Sequence, residues 1–481
     1  MQQKSDAHAG QSWLAVDLDG SLLRSDLLAE SVLALLARNV LYLFLLPVWL
    51  LKGRARLKRE VARRIRLDAA RLPYNQAVLA FIRQERAAGR PVVLATASDG
   101  LLAEDVADHL GLFDAVIASD GVVNMKGSVK RDAIVAMAGD RPFDYIGDSR
   151  ADLAIFEAAD KALLVDPSPG VLATARRSAR VAALFTGGQA GARTYLEEIR
   201  IRQWMKNLLV FVPLLLDHRI ADPASWREAA VAFLAFSLCA SSVYLLNDLL
   251  DLQADRRHPR KRERPLASGR LPLAHGLVLA PLLLLAAALV ALALPPLFKA
   301  VLAVYYLATL AYSLFFKRTL LFDVLLLASL YTLRIIAGAA ALALPMSFWL
   351  LAFSIFLFLS LALMKRFVEL GALGTKGEKL LTGRGYRAED LETLSQFGTG
   401  SGLLAVLVLA LYIDSAEVKA LYRYPEIIWL ICPMVLYLVM RFWVLARRRE
   451  MSDDPVVFAT RDWRSQVVVV LAVAVLFIAA G

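Results

Sequence analysis

The chain has 481 residues, more than one ordinary domain needs, and 58% of them are hydrophobic, with a mean hydropathy of +0.54. Those values lie above the soluble-enzyme range and point to a membrane protein. The formal net charge is +11, but the basic residues sit in short loops between apolar segments, which is a topology signal and argues against nucleic-acid binding.

Residues 1–200 read as a mostly soluble domain. Its first stretch, MQQKSDAHAGQSW, lacks the apolar core of a signal peptide, so this domain is expected to stay in the cytoplasm. The short apolar runs WLAVDLDG, PVVLATASDG, DAVIASDG, DYIGDS and ALLVDPS alternate with helical segments such as YNQAVLAFIRQERAAGR. This alternation predicts an α/β domain: a parallel sheet with helices on both faces, binding ligands at the carboxyl ends of its strands. In VDLDGS, Asp17 and Asp19 stand at such an end, strand alternation points both the same way, and Gly20 lets the chain turn. One carboxylate of such a pair can attack phosphorus while its neighbour protonates the leaving oxygen. Their mutual repulsion calls for a hard cation, and Mg²⁺ suits oxygen ligands. GDSRAD adds Asp148 and Asp152 at a later strand end, Lys130 can neutralise a phosphoryl group, and Thr96 can hydrogen-bond one.

This ordered set resembles the haloacid dehalogenase (HAD) superfamily of phosphatases over nearly all of residues 12–170. The resemblance implies Asp17 as nucleophile and Asp19 as general acid/base. It implies Asp17 and Asp148 as Mg²⁺ ligands, Asp152 in support of the metal site, and Thr96 and Lys130 on the phosphate, with Ser98 competing for the place of Thr96. Between the first two motifs lies an insertion, about residues 27–70, with the apolar run VLALLARNVLYLFLLPVWLL and a basic tail at 52–64. A single crossing by this run would put Asp17 and Thr96 on opposite sides of the membrane, which one active site forbids. The insertion is therefore expected to be a helical cap lying at the lipid interface, its tail meeting anionic headgroups. The alternative is a cap packed on its own core.

Residues 184–198 read as linker, which divides the chain into a domain at 1–190, a connection at 191–200 and a membrane domain at 201–481. Apolar segments near 207–217, 229–248, 273–293, 297–315, 321–343, 347–364, 400–414, 427–446 and 464–480 predict an all-α polytopic bundle of about nine transmembrane helices. Five basic stretches, RQWMK, DRRHPRKRERPLASGR, FKRTL, KRFVELGALGTKGEKLLTGRGYRAED and RRREMSDDPVVFATRDWR, then fall on one side, expected to be cytoplasmic. In NDLLDLQAD the polar positions are Asn247, Asp248, Asp251 and Asp255, and the three acids lie at i, i+3 and i+7 on one helical face. Ionisable groups at membrane depth mark function, and carboxylates on one face can hold Mg²⁺ and through it a diphosphate. Arg256, Arg257, His258, Arg260, Lys261, Arg262 and Arg264 follow, able to grip phosphate oxygens as well as to set topology. Cys239 and Cys432, inside apolar runs, suggest neither a disulfide framework nor a metal site.

The NDxxDxxxD helix, the downstream RPLASG and the number of spans resemble UbiA-type membrane prenyltransferases across residues 200–480. That resemblance implies a helical bundle with a cavity open to the cytoplasm and to lipid, Mg²⁺, and a polyprenyl substrate. Aromatic prenyltransferases of the family carry a second aspartate-rich motif. Here the corresponding place reads MKRFVEL, with Lys365, Arg366 and Glu369. Together with IRIRQWMKNLLVFVPLL and FDVLLLASLYTLRIIAGA, this looks like the decaprenyl-phosphate phosphoribosyltransferase branch, which transfers phosphoribose from phosphoribosyl pyrophosphate to a polyprenyl phosphate. Cations at this place lower the repulsion among the anions such a site must gather. Arg202, Lys206, Lys317 and Arg334 are further phosphate candidates, although Arg334, well inside an apolar span, has Asp323 as an alternative structural partner. Trp204 and Tyr312 read as interface or core aromatics.

The expectation is a two-step enzyme of the inner (cytoplasmic) membrane that binds no nucleic acid. The membrane domain makes polyprenyl-phosphoryl-phosphoribose, and the HAD domain removes the ribose 5-phosphate, serving pentose donation to cell-envelope glycans. The main rival is an aromatic (4-hydroxybenzoate-like) polyprenyltransferase using a prenyl diphosphate, with the HAD domain regulatory or acting on another phosphate. A HAD module that only docks partners and a transporter are further readings, and the second leaves the aspartate-rich helix unexplained.

Overall fold

A computed structural model describes residues 12–187, 190–217, 221–373, 385–451 and 454–480. The loop part 374–384 of the basic stretch after MKRFVEL lies outside the described residues. The chain divides into two compact units, Met1–Ile199 with Leu245–Leu279, and Arg200–Tyr244 with Ala280–Gly481.

In the first unit the strands are β1 (Trp13–Val16), β2 (Val92–Asp99), β3 (Ala115–Ser119), β4 (Phe143–Gly147), β5 (Lys161–Val165) and β6 (Val181–Phe185), all parallel, in the order β3-β2-β1-β4-β5-β6. Five match the expected runs. The sixth ends where a linker was expected. It is a short edge strand with alternating half-buried residues, and VAALF is its faint signal. The strands bury both faces: Leu14, Val16, Leu94 and Ile146 join one apolar cluster, and Ala15, Val93, Tyr145 and Leu164 the other. The chain runs outward from β1 to β2 and β3, then returns to the far side of β1 for β4. That reversal opens a crevice at the carboxyl end of β1.

The insertion after β1 forms α1 (Leu27–Arg38), a 3₁₀ turn (Val40–Phe44), α2 (Leu45–Leu51) and α3 (Arg54–Ala62). Asp26 caps α1 by accepting from the Ala29 N–H. Asn39 breaks the apolar run: its backbone is extended, and its side chain caps the next turn through the Leu41 N–H. The remaining apolar piece, Val40–Leu51, is too short to cross a bilayer. One side of the cap buries Leu35, Trp49, Val61 and Ile65. The other leaves Leu41, Leu43, Phe44, Leu45, Val48, Leu50 and Leu51 exposed.

Leu245–Leu279, expected with the membrane bundle, groups by contact with the N-terminal sheet. Leu33 of α1 joins Leu249, Leu252, Leu266, Leu271 and Leu273 in one apolar cluster, with Tyr195 packed against it. Tyr195 belongs to a helix, Ala192–Glu198, formed within the expected linker.

Among the described residues, eight helices are long and apolar enough to span a membrane: Pro223–Leu250, Leu273–Ala291, Pro296–Leu314, Phe322–Ala341, Phe348–Ala372, Ala388–Ile413, Pro425–Arg447 and Trp463–Ala480. The ninth expected segment, 207–217, is instead the end of a 3₁₀ helix (Ile201–Phe211) followed by the short helix Val212–Leu216. In the second unit Gly398 lets the Trp443 ring lie against its helix; a Cβ there would overlap the ring. Trp443 Nε1 donates to Ser360 Oγ (3.1 Å), which donates to the Gly398 carbonyl (2.7 Å), so three helices share one polar knot.

Gly269, the last residue of RPLASG, has φ +74°, and a Cβ on it would stand 2.8 Å from Arg24 Cβ and 3.1 Å from the Arg24 carbonyl oxygen. Gly269→Ala therefore combines left-handed backbone strain with a backbone clash, and should cost about 1–3 kcal/mol. A lower thermal unfolding midpoint in detergent checks this.

Candidate active sites

Asp17 follows β1 directly and Asp148 follows β4, and β1 and β4 are hydrogen-bonded neighbours. Gly20 (φ +80°) turns the chain after β1 and lets it pass against Asp148, whose carboxylate a Cβ there would strike. Ligand oxygens of Asp17, Asp148 and Asp152 lie within 4.8 Å of one another. Lys130 Nζ donates to Asp17 Oδ1 (2.8 Å) and pairs with Asp152 Oδ1 (2.9 Å). Asp152 is already fully engaged. Tyr145 donates to Oδ1 (2.7 Å), and Ser149 donates to Oδ2 through both its N–H (3.1 Å) and its hydroxyl (2.6 Å). A carboxylate with each oxygen accepting two donors is better placed to hold Lys130 than to bind a cation directly. The donor set thus suits Mg²⁺ on Asp17 and Asp148, with Asp152 behind them.

Asp19 takes the Leu27 N–H on Oδ1 (2.7 Å), and Ser98 Oγ (2.6 Å) and Thr96 Oγ1 (3.2 Å) on Oδ2. Thr96 and Ser98, two apart on β2, face the same way, so both touch Asp19. Burial, with Asp26 adding to it, pushes the Asp19 carboxyl up to about 6, against its hydrogen bonds. Burial likewise lifts Asp148 to about 7, with Asp152 adding to it. Burial pushes Asp17 up, Lys130 pulls against it, and the three neighbouring acids push again. Asp152 is held below the usual range, because Lys130, Ser149 and Tyr145 together outweigh its burial. A carboxyl poised as Asp19 is can carry a proton near neutral pH, and a cation beside Asp17 would favour its ionised form. Lys58 of α3, read from sequence only as part of a headgroup-binding tail, reaches the same cleft and donates to the Ala97 carbonyl (2.5 Å) and Asn124 Oδ1 (2.8 Å).

Asn247 and Asp248 lie in the last turn of the helix Pro223–Leu250. The backbone hydrogen bonds continue through Asp251 into the helix Leu252–Arg257, with Asp251 N–H to Asn247 O and Asp255 N–H to Asp251 O both 2.8 Å. The predicted common face is realised at Asp248 and Asp255. One guanidinium nitrogen, Arg264 Nη1, bonds Asp248 Oδ1 (2.9 Å) and Asp255 Oδ2 (2.5 Å). Asn247 Oδ1 is buried without a hydrogen-bond donor. These hard oxygens fit Mg²⁺. Arg257 and Lys261 are exposed, whereas Arg256 is buried and paired with Glu30, which no motif in the sequence marks.

In the second unit Lys206 and Lys365 share one carboxylate, Asp454. Lys206 bonds it and Lys365 stands 3.6 Å away, beside a small cleft bordered by Tyr331 and Pro455. The two lysines hold Asp454 well below the usual carboxylate range despite its burial. Asp454 was missed, although Asp before Pro is a helix-start signal, and it does cap the helix Pro455–Arg461. Arg366 is fully buried. It bonds Asp323 Oδ2 (2.7 Å), Glu369 and the Tyr312 hydroxyl (3.1 Å). Asp323 is thus the partner of Arg366, and it also accepts from Tyr386 (2.5 Å). Arg334 instead donates to Asn207 Oδ1 (2.9 Å), the Leu330 carbonyl (2.6 Å) and the Tyr305 hydroxyl (3.1 Å), among the rings of Phe236, Tyr305 and Tyr331. Arg202 is exposed and Lys317 half-buried.

The haloacid dehalogenase-like hydrolase family model matches residues 14–157, and the UbiA prenyltransferase family model matches residues 219–461. The chain belongs to the UbiA prenyltransferase family. It is a multi-pass, prenyltransferase-type transferase fused to a HAD hydrolase-like domain. This UbiA-family chain is 37% identical over 454 residues to the uncharacterized protein y4nM of Sinorhizobium fredii, covering 93% of this chain and 87% of that one. It is 38% identical over 191 residues to the decaprenyl-phosphate phosphoribosyltransferase of Mycolicibacterium smegmatis, covering 38% of this chain and 59% of that enzyme. Among solved structures, a UbiA homolog from Archaeoglobus fulgidus bound to GPP and Mg²⁺ matches with a TM-score of 0.47 and 16% identity, over 60% of this chain and 99% of that one.

The geometry separates holding from binding among the cations of the UbiA-family domain. Arg366→Met should cost about 3–5 kcal/mol, because it strands the buried Asp323 carboxylate. It should lower the unfolding midpoint in detergent far more than Lys365→Met, whose side chain is partly exposed.

Proposed function

We propose that this chain transfers phosphoribose from phosphoribosyl pyrophosphate to a polyprenyl phosphate and then removes the ribose 5-phosphate. The observation that carries the reading is the turn Lys365–Glu369. An aromatic prenyltransferase of this family would present acids there. This chain presents Lys365 toward Asp454, and its one acid in the turn, Glu369, is tied to Arg366. A cationic lining favours gathering several phosphates. The similarity to a decaprenyl-phosphate phosphoribosyltransferase supports the same substrates.

In the transfer, an oxygen of the lipid phosphate attacks C1 of the ribose, the bond from C1 to the diphosphate oxygen breaks, and diphosphate leaves. Asn247, Asp248, Asp251 and Asp255 are the residues that would hold Mg²⁺, which when bound screens the charge of a departing diphosphate. Lys206 and Lys365 supply positive charge for the lipid phosphate, and Asp454 orients both. In the second reaction the Asp17 carboxylate attacks the phosphorus of the 5-phosphate. The bond to the ribose oxygen breaks, and Asp19 gives that oxygen its proton. Water then cleaves the aspartyl phosphate with Asp19 taking its proton, which yields phosphate and restores both residues. Thr96, Ser98 and Lys58 line the approach.

A lipid-linked substrate also gives the cap a purpose. The exposed Leu41–Leu51 surface and the basic α3 behind it suit insertion at an anionic interface on the cytoplasmic side of the inner membrane.

Purified full-length protein in detergent, given ribose-labelled phosphoribosyl pyrophosphate and polyprenyl phosphate, should move label into the lipid and then release phosphate. Asp17→Asn should stop at the phosphorylated lipid, Asp19→Asn should slow phosphate release about 10²–10⁴-fold, and Asp248→Asn should block labelling. If no label enters the lipid while hydroxybenzoate and a prenyl diphosphate react, the proposal fails.

The cap reading has its own check. A spin label at Phe44→Cys in liposome-reconstituted protein should be reached by oxygen and shielded from a water-soluble nickel complex; the native Cys239 and Cys432 are buried. A nickel-accessible label would place the cap in water.

A further inference from the structure

Glu30 is the one acid of helix α1, and it is completely buried. Its partner is Arg256, the residue after Asp255. Arg256 Nη1 donates to Glu30 Oε2 (2.8 Å) and Nη2 to Oε1 (2.5 Å), a two-pronged fork. Ser25 Oγ donates to Oε1 (2.5 Å) and Gln253 Nε2 to Oε2 (3.1 Å), so both carboxylate oxygens are fully used. The remaining guanidinium donor, Arg256 Nε, bonds the carbonyl of Ala267 (2.8 Å).

Two things are fixed at once by this arrangement. Arg256 lies in the last turn of the helix that carries Asp255, and the Ala267 carbonyl belongs to the loop that carries Arg264. Asp248, Asp255 and Arg264 then meet on one nitrogen. Adhesion alone does not need a buried ion pair, since apolar residues of similar volume hold two surfaces as well or better. What a two-pronged arginine–carboxylate pair adds is a fixed orientation in the plane of the fork.

We propose that Glu30, a residue of the HAD-like domain, is a positioning residue for the transferase. Through Arg256 it sets the register between the aspartate-rich helix end and the loop of Arg264. The N-terminal domain is then a working part of the transfer site, whether or not its own phosphatase step is in use. The identity of the transfer rests on the function proposed above; the positioning does not.

The test uses full-length protein in detergent with three chains: wild type, Glu30→Gln, and the double variant Glu30→Met/Arg256→Met. In Glu30→Gln, the rate of lipid labelling at subsaturating phosphoribosyl pyrophosphate should fall more than tenfold, and the Mg²⁺ concentration for half-maximal labelling should rise. Amide hydrogen exchange across residues 247–268 should quicken at least tenfold while β1 and β2 keep wild-type protection. The double variant restores an apolar contact without the fork, so it should keep the protected sheet and retain the labelling defect. Full labelling by the double variant, or unchanged exchange at 247–268 in Glu30→Gln, overturns the proposal. Loss of protection across the sheet as well would show Glu30 to be general scaffolding, and overturns it too. If wild type labels no lipid, the functional reading fails, and the exchange measurement alone decides the role of Glu30.

Discussion

The acids of the candidate sites are buried or half-buried, and a carboxylate shielded from water stays charged only beside a cation or a set of donors. Lys130 stands between Asp17 and Asp152, Arg264 between Asp248 and Asp255, and Asp454 between Lys206 and Lys365. Arg366 with Asp323 and Arg256 with Glu30 repeat the pattern. These pairs differ in how far water reaches the cation. The Arg366 side chain is 0% exposed and that of Arg256 4%, whereas Arg264 and Lys365 are each 28% exposed. An arginine closed off from water and held by several acceptors, as Arg366 and Arg256 are, is placed to hold. A partly exposed cation beside acids can exchange its partner for a metal-bound or lipid-bound phosphate. Exposure therefore sorts the basic residues into scaffold and binding groups more sharply than charge alone.

That sorting is what the sequence could not supply. The sheet was legible because βαβ grammar is local: five of the six strands, and the acids at their ends, could be read from apolar runs that stop at Asp, Ser or Gly. The common face of Asp248 and Asp255 was legible because helical spacing is local too. The motif resemblance already implied Asp152 in support of a metal site, but not that Tyr145 and Ser149 would turn toward it and occupy its oxygens. Arg334 and Arg366 look alike in sequence, each an arginine in an apolar helix. Only tertiary contacts gave Asp323 to Arg366 and a cage of rings to Arg334. The segment 207–217 misled for a related reason. Its apolar residues promise a span, but Lys206 and Asn207 at its start are tied into buried polar contacts, and it coils into a 3₁₀ turn.

Contact grouping and family match divide the chain differently: Leu245–Leu279 packs with the N-terminal unit, yet the UbiA family model matches residues 219–461 across it. In sequence, the basic loop DRRHPRKRERPLASGR reads as lying on the cytoplasmic face between two spans of the membrane domain. Yet Leu249, Leu252 and Leu266 find their apolar partners on α1, and Gly269 needs its missing side chain to lie against Arg24. A hydropathy window cannot tell lipid from the face of another domain, because both accept the same leucines.

On the proposed reading, this shared core also explains why two reactions sit on one chain. A lipid product released from the transfer site remains in the plane of the membrane, and a phosphatase on the same polypeptide meets it at the high effective concentration that tethering confers. A flexible linker alone would achieve that. This chain goes further, because α1 offers its first N–H to Asp19 and, three residues on, its Glu30 carboxylate to the end of the aspartate-rich helix. A short, rigid helix thus touches the proton carrier of one site and the support of the other. Rigid support of this kind keeps catalytic groups within the few tenths of an ångström that their chemistry tolerates. It also means that the aspartate-rich helix end would lose the fork that orients Arg256 if the N-terminal domain were removed, which is a physical reason for the two to remain fused.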